Sequence, residues 1–339
     1  MEMKSLSQAG RILKPLSPSL AVLIRDPGVP VRFSRQVLAS LTKAGIRSAS
    51  LTLSGGEKAK NLSELERLAR ACACLSLGRD GVLISLGGGV CSDLTGFLAS
   101  TWMRGIPWLA IPTTLLALAD AALGGKTAVD LPEGKNLLGA FHPPLALLCD
   151  LDTLASLPQR RYVEGLAEIL KCAVLTSPKA LAWIEQDASA LTRRNRVALR
   201  RALGMAQALK LGLVARDPRE TRGLRERLNL GHTLAHAAET ASGWSVSHGQ
   251  AVAAGLVAEA ELAKALGLST DPSLPGRLKA LMPRLGLPVS FPRLNRVRFL
   301  QALGRDKKAL RGRIRVVLPV RPGKVITREV PLAALALVL

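Results

Sequence analysis

Aromatic side chains make up 3% of the 339 residues, and there is a single tyrosine. Proteins that grip single-stranded nucleic acid need aromatic platforms for the bases, so that mode of binding is not expected. The five cysteines, Cys72, Cys74, Cys91, Cys149 and Cys172, contain no Cys-x-x-Cys pair and no even spacing. They sit in apolar runs, which argues against a disulfide scaffold and against a thiolate metal site and fits a reducing cytoplasm. No apolar segment with a small-residue cleavage site follows Met1, so no secretory signal is expected. A membrane span is also lacking. The apolar run from Ile106 to Leu123 has the length for one, but Pro107 and Pro112 break it and Asp120 would be costly in lipid.

Acidic residues are few: 25 against 47 lysines and arginines, a formal charge of +22. Such an excess by itself points toward nucleic acid. Its distribution points elsewhere. Arg193-Arg194-Asn195-Arg196, Arg200-Arg201 and Arg311 to Arg315 lie in segments that also read as amphipathic helix or strand. A solvated arginine-rich surface together with a small anionic ligand accounts for this better than a nucleic-acid partner does.

What the chain does contain is a change of texture near its middle. In the first half, short β-type runs (Leu20 to Ile24, Ala49 to Leu53, Gly81 to Leu86, Trp108 to Ile111, Ala146 to Cys149) alternate with helical patterns at Ser34 to Ala44 and Leu62 to Leu75. That alternation predicts a parallel sheet wrapped by helices. After Leu157-Pro158, alanine- and leucine-rich helical segments take over: Tyr162 to Leu175, Ala180 to Leu191, Val197 to Leu213, His232 to Ala241 and Gln250 to Leu266, with one late strand at Ile314 to Leu318. The expectation is an α/β fold: a Rossmann-like parallel-sheet domain over residues 1–157 and a mainly α-helical domain over 158–339.

Three constellations carry chemistry. Gly87-Gly88-Gly89 follows a buried-strand pattern and opens a helical run, so backbone N–H groups and a helix N-terminus are available to a phosphate. The run is not a G-x-G-x-x-G fingerprint, and three glycines equally make a plain strand-to-helix turn. Asp26 at a strand end suits ribose hydroxyls, and Glu57 with Lys60 is expected to form a charged pair. Histidine is scarce, yet His232, His236 and His248 fall within seventeen residues. His232 and His236 project from one helix face, whereas His248 is expected in a loop leading into the next helix. Two imidazoles so placed suit a metal, although the same pair on an alanine-rich helix also occurs as plain surface or core. A carboxylate to complete a metal site is at hand in Glu168, within an apolar helix, with Glu164 on the same face; either could instead face solvent and pair with Lys171. Finally, Arg104, Thr113, Thr114, Asp120, Lys126, Lys135 and Asn136 crowd an apolar stretch. Gly124-Gly125-Lys126-Thr127 lacks the leading glycine of a Walker A loop, which disfavours ATP but leaves fixed cations for a phosphate or carboxylate.

Long motifs link these pieces: SLGGGVCSDLTGFLASTWMRG (Ser85 to Gly105), IPTTLLALADAALGGKTAVD (Ile111 to Asp130), GKNLLGAFHPP (Gly134 to Pro144), GLAEILK (Gly165 to Lys171), LNLGHTLAHAAE (Leu228 to Glu239), HGQAVAAG (His248 to Gly255) and RDKK (Arg305 to Lys308). Through them the chain resembles the 3-dehydroquinate synthases of the shikimate pathway, within the sugar phosphate cyclases, from about Leu20 to Pro319. The resemblance implies conversion of 3-deoxy-D-arabino-heptulosonate 7-phosphate to 3-dehydroquinate and phosphate. The implied course is transient oxidation by NAD, phosphate elimination, reduction, ring opening and an intramolecular aldol. It further implies a zinc or cobalt ion on Glu168, His232 and His248, with His236 beside it as a proton-handling residue. NAD would be held by Asp26, Glu57, Lys60, Gly88, Gly89, Asp93, Thr113 and Thr114, with Asp120, Lys126 and Lys135 close by. The substrate would meet Arg104, Asp120, Lys126, Asn136, Lys171, Lys210, Arg225, Asn229, His236 and Lys307, among which Lys126, Asn136, Lys171, Arg225 and His236 would be catalytic. A homodimer is implied as well, through Arg104.

The family pattern is broken at Gly28, where asparagine is usual, and at Gln250, where glutamate is usual. Rival readings are a cyclase making an inosose, a valiolone-type cyclitol or an amino-dehydroquinate, and a polyol dehydrogenase of the glycerol dehydrogenase type. Asn229 and His236 favour dehydroquinate over the sedoheptulose-phosphate cyclases. The set of Lys126, Asn136 and Arg225 favours a substrate bearing both phosphate and carboxylate over a plain polyol.

Overall fold

The computed structural model describes residues 5–304, 309–310 and 312–337. They form two compact units, one ending at Pro158 and the other beginning at Gln159.

The first unit runs α1 (Ala9–Leu13), β1 (Ala21–Arg25), α2 (Val31–Lys43), β2 (Ser48–Thr52), α3 (Leu62–Cys74), β3 (Val82–Gly87), α4 (Gly89–Thr101), β4 (Trp108–Pro112), α5 (Leu115–Ala119), β5 (Lys126–Leu131), β6 (Gly134–Phe141) and β7 (Ala146–Leu147). Five of these strands make a parallel sheet in the order β2-β1-β3-β4-β7. Helices cover both faces. Val22, Ile24 and Leu83 pack with Leu68, Leu94 and Leu98 on one side, while Ala21, Leu23 and Ile84 pack with Leu13, Phe33 and Val37 on the other. This is why β3 is buried along its whole length and reads as an unbroken apolar run rather than an alternation.

The order of the strands fixes where a ligand would bind. The chain leaves β1 toward β2 on one side and reaches β3 on the other, so the reversal falls between β1 and β3, the place where open α/β sheets leave a crevice at their carboxyl ends. Asp26 and the glycine triplet stand at those two strand ends.

Two features of this unit differ from expectation. The segment from Lys126 onward forms an antiparallel hairpin of β5 and β6, turned at Pro132-Glu133. Its crowd of polar groups masks strand alternation, and Arg104, Lys126, Lys135 and Asn136 prove exposed rather than set in an apolar surround. Cys74 is exposed as well, while the other four cysteines are buried, and no disulfide joins any of the five. The apolar run from Ile106 to Leu123 is β4, α5 and the turns around them. Among the described residues no helix is long and apolar enough to cross a membrane.

The second unit comprises α6 (Gln159–Thr176), α7 (Pro178–Thr192), α8 (Arg196–Arg216), α9 (His232–Ala241), α10 (His248–Ala265), α11 (Leu274–Arg284), α12 (Arg296–Gly304), β8 (Ala309–Leu310), β9 (Arg313–Arg321) and β10 (Lys324–Pro331). Side chains cap the starts of two helices in the expected manner: Ser177 Oγ accepts from Ala180 N at 3.1 Å, and Asn195 Oδ1 from Val197 N and Ala198 N. The single late strand expected from sequence is the middle of a small antiparallel sheet, β10-β9-β8, with Pro322-Gly323 as the turn into β10. Its inner face, Ile314, Val316 and Leu318, packs against Leu234 of α9, Leu262 of α10 and Phe299 of α12.

Candidate active site

In the second unit, α6, α9 and α10 bring three donors together. Glu168 lies midway along α6 and is fully buried; His232 is the first residue of α9, and His248 the first of α10. The Nε2 atoms of His232 and His248 are each 3.4 Å from Glu168 Oε1, and the three ligand atoms lie within 4.8 Å of one another. His248 therefore sits at a helix start rather than in the loop expected for it.

The α10 N-terminus is held by Gln250, whose Oε1 accepts from Ser247 N at 3.3 Å and from Ser247 Oγ at 3.1 Å in a reciprocal cap. The glutamine at this position thus preserves the cap that carries His248. Gly249 is required next to it, since a Cβ there would lie 2.4 Å from Glu164 Cα. Glu164, on the same face of α6 as Glu168, pairs with Arg161 at 3.2 Å and stays out of the cluster.

The electrostatics suit a divalent cation. Desolvation opposes the charge of Glu168, but the Lys171 ammonium, 2.5 Å from Oε2, together with His232 and His248, holds the carboxyl well below the usual carboxylate range. Burial and the Lys171 charge hold the His232 imidazole well below its ordinary value, hence neutral. Desolvation also works against a charged His248, yet its hydrogen bonds to Glu168 and Glu239 push it up to about 10. In this fully buried setting Glu168 Oε1 faces two imidazole nitrogens at once, the convergence of ligand atoms that a cation needs. Two imidazoles and one carboxylate form the open donor set of catalytic zinc sites.

His236, one turn along α9, is exposed, with its ring centroid 5.6 Å from that of His232 and 6.4 Å from that of His248. Around α6 lie three buried cations: Lys171 on α6 itself, Lys210 on α8, which packs against α6, and Arg225 in the turn Leu224–Asn229, which packs against both helices. Asp217 accepts from the N–H groups of Arg222 and Leu224, both at 3.1 Å, and so shapes the loop that delivers Arg225. Arg225 pairs with Glu220 at 3.1 Å, and Asn229, at the end of the same turn, is half-buried. Lys307 lies outside the described residues.

In the first unit the glycine triplet closes β3 and opens α4. A Cβ on Gly87 would lie 2.8 Å from Asp26 Cβ, and one on Gly88 would lie 3.1 Å from Thr114 Cγ2. The N-terminus of α4 has no side-chain cap, which leaves the N–H groups of its first turn available to an anion. Asp26 accepts from Gly28 N at 2.8 Å, which fixes its carboxylate in the turn after β1 without help from an asparagine at position 28. Thr113 is buried and continues from β4, and Thr114 caps α5 by accepting from Ala117 N at 3.1 Å. Asp120 follows α5 and is half-buried.

The charged pair expected between Glu57 and Lys60 is not formed. Glu57 pairs with Lys135 at 2.7 Å, and Lys60 with Asp93 at 2.5 Å. Lys60 also donates to Asn136 Oδ1, and Asn136 N donates to Asp130 Oδ1 at 2.9 Å. The reason is topological: Lys60 follows the turn after β2 and is buried beside α4 and the β5–β6 hairpin, where a carboxylate and an amide wait, whereas Glu57 stays at the surface. Lys60 thereby ties Asp93 to Asn136, a link the sequence did not disclose. Two further carboxylates behind the histidines, Glu239 and Glu259, were also missed.

Comparison with known proteins sets this geometry in a family. A family model described as 3-dehydroquinate synthase N-terminal matches residues 50–164, and one described as 3-dehydroquinate synthase C-terminal matches residues 165–309. A 3-dehydroquinate synthase from Symbiobacterium thermophilum is 41% identical over 95% of this chain and 90% of its own length. Among solved structures, a 2-epi-5-epi-valiolone synthase from Streptomyces hygroscopicus, with NAD+ and Zn2+ bound, is similar at a TM-score of 0.86 and 28% identity, covering 95% of this chain and 90% of that one. A 2-deoxy-scyllo-inosose synthase complexed with carbaglucose-6-phosphate, NAD+ and Co2+ shares the fold at a TM-score of 0.88 and 24% identity, covering 97% and 92%.

Proposed function

The chain belongs to the 3-dehydroquinate synthase family, and on that premise we propose that it converts 3-deoxy-D-arabino-heptulosonate 7-phosphate to 3-dehydroquinate with Glu168, His232 and His248 as metal ligands and the glycine triplet as the seat of NAD. The observation that carries this assignment is the buried Glu168 carboxylate, one oxygen of which lies 3.4 Å from the Nε2 atoms of both His232 and His248. When bound, NAD supplies a reversible hydride acceptor and a zinc or cobalt ion a Lewis acid for substrate hydroxyls.

The protein's own groups do the rest. The first-turn N–H groups of α4 cradle the dinucleotide phosphates, and Asp26 accepts from ribose hydroxyls while repelling a 2′-phosphate. Glu57, Lys60, Asp93, Thr113, Thr114, Asp120 and Lys135 complete this seat. Lys171, Lys210 and Arg225 are buried cations gathered around α6, and as fixed positive charges they suit a substrate bearing both phosphate and carboxylate. Arg104, Asp120, Lys126, Asn136, Asn229, His236 and Lys307 are assigned to the same substrate. His236, exposed beside the metal ligands, is placed to hold or pass a proton at a substrate oxygen. Fixed charges of this kind orient the substrate and stabilise developing negative charge as phosphate leaves.

A homodimer belongs to the same proposal. Leu137 and Phe141, on one face of β6, are 46% and 49% exposed, apolar surface of the sort that marks a protein interface. Cysteines outside any disulfide are in keeping with a cytoplasmic enzyme.

The assignment is tested by offering three substrates separately: 3-deoxy-D-arabino-heptulosonate 7-phosphate, sedoheptulose 7-phosphate and glucose 6-phosphate. The expected outcome is a kcat/KM for the first at least ~100-fold above the others, since a buried charged pocket left unpaired penalises substrates that lack the carboxylate. A preference for either of the others would replace this assignment with a valiolone or inosose cyclase.

A further inference from the structure

The two metal-ligating histidines are supported from behind in different ways. His248 Nδ1 lies 3.1 Å from the Oε1 of Glu239, a direct carboxylate partner. His232 Nδ1 lies 3.1 Å from the carbonyl oxygen of Leu230. That carbonyl belongs to the peptide joining Leu230 to Gly231, and the N–H of the same peptide donates to Glu259 Oε2 at 2.5 Å. Glu259 is fully buried on α10.

We propose that Glu259 is the positioning carboxylate of His232, acting through the Leu230–Gly231 peptide. The inference rests on the reading of His232 as a metal ligand and adds to it the group that fixes the ligand's tautomer. A carboxylate on the N–H polarises the peptide, makes its carbonyl oxygen a better acceptor, and so favours the tautomer with the proton on Nδ1 and a free lone pair on Nε2.

The backbone around this relay is built for it. Gly231 is the residue before α9 and has φ 80°, the left-handed region that favours glycine. Gly255 lies one turn before Glu259 on α10, and a Cβ there would lie 2.1 Å from Gly231 O. Two glycines thus let the α9 start approach the α10 backbone closely enough for a side chain one turn further on to reach the Gly231 N–H. Glu259 is also an acid in an otherwise apolar stretch of α10, Ala251 to Ala260, where burying it calls for a specific partner.

The test uses the full-length protein with zinc, measuring zinc affinity by chelator competition and the His232 ring-nitrogen and Gly231 amide resonances by NMR. Glu259→Met, which removes the acceptor, is expected to weaken zinc binding 10- to 100-fold, and Glu259→Gln, which keeps an oxygen acceptor, by less than about fivefold. In Glu259→Gln the Gly231 amide proton and the His232 nitrogens are expected to shift together, whereas a merely structural carboxylate would leave the His232 nitrogens in place. If Glu259→Met does not fold, the Glu259→Gln spectra decide alone. Wild-type zinc affinity in both variants, or unmoved His232 nitrogens in Glu259→Gln, would overturn the relay. His232→Ala is the control: loss of zinc there with unchanged affinity in the Glu259 variants refutes only the relay, whereas retained zinc in His232→Ala refutes the metal assignment itself.

Discussion

Replacing Gly255 with alanine tests how tightly the metal site depends on backbone packing. The added Cβ would stand 2.1 Å from Gly231 O and 2.9 Å from Gly231 C, against an ordinary contact of ~3.4 Å or more. Both obstructing atoms are backbone, so no side-chain rotation relieves the overlap, and the two helices must separate by about 1 Å. Overpacking of this kind costs about 3 kcal/mol, and at roughly 2–4 °C per kcal/mol for a domain of this size the midpoint of thermal unfolding should fall by about 6–12 °C. The displaced residue directly precedes His232, and misplacing a functional group by ~1 Å costs about 100-fold in rate. Calorimetry of the metal-free protein gives the first quantity, and steady-state turnover at saturating zinc gives the second. Gly204→Ala, at a helical glycine whose Cβ would meet nothing within 4 Å, is the matched control: it should leave turnover unchanged and stabilise slightly, by up to about 1 kcal/mol. Wild-type stability and turnover in Gly255→Ala would refute the claim that this contact sets the ligand.

Other consequences can be checked separately. His232→Ala should abolish zinc content, measured by mass spectrometry of the dialysed protein, and turnover together. Gly88→Val, which places branched carbon against Thr114 without a forbidden φ, should eliminate NAD binding in calorimetric titration while circular dichroism stays as in the wild type. Lysine at both Leu137 and Phe141 should yield a monomer in sedimentation equilibrium, whereas an unchanged dimer would move the interface elsewhere. In the first unit, the hydrogen bonds from the Arg67 guanidinium lower the Glu64 carboxyl to about 2 against the desolvation that raises it. Its folded value is therefore below the unfolded one, so its stabilisation is present above pH ~4.5 and is lost as pH falls toward ~2. Glu64→Gln should cost about 1 kcal/mol in urea unfolding at pH 7, after allowance for solvent screening, and the gap should narrow steadily below pH ~4.5.

How far the sequence discloses this site depends on the range of each interaction. Periodicity and strand-to-helix punctuation locate β1 to β4 and α6 to α10 to within a few residues, because strands covered on both sheet faces read as short apolar runs and helix stripes recur at every third and fourth position. Glu168, His232 and His248 are legible as ligand types at plausible spacing, and family motifs rank them above the alternatives. The β5–β6 hairpin was obscured because exposed polar groups on a two-stranded ribbon leave no buried face to read. Which partner Lys60 selects, Glu57 or Asp93, is settled by the tertiary packing that sets Lys60 against Asp93 of α4, and no local pattern encodes it. Glu259 is recognisable only as an acid out of place among apolar neighbours; its role depends on two glycines on different helices meeting in space.

The most direct measurement combines phosphate release and nicotinamide absorbance in one cuvette, with purified protein, zinc, NAD and 3-deoxy-D-arabino-heptulosonate 7-phosphate. Phosphate should accumulate through many turnovers with no net rise at 340 nm, a wavelength at which reduced nicotinamide absorbs, because hydride returned to the substrate regenerates NAD. Absence of phosphate release, or NADH formed in step with phosphate, would contradict the account.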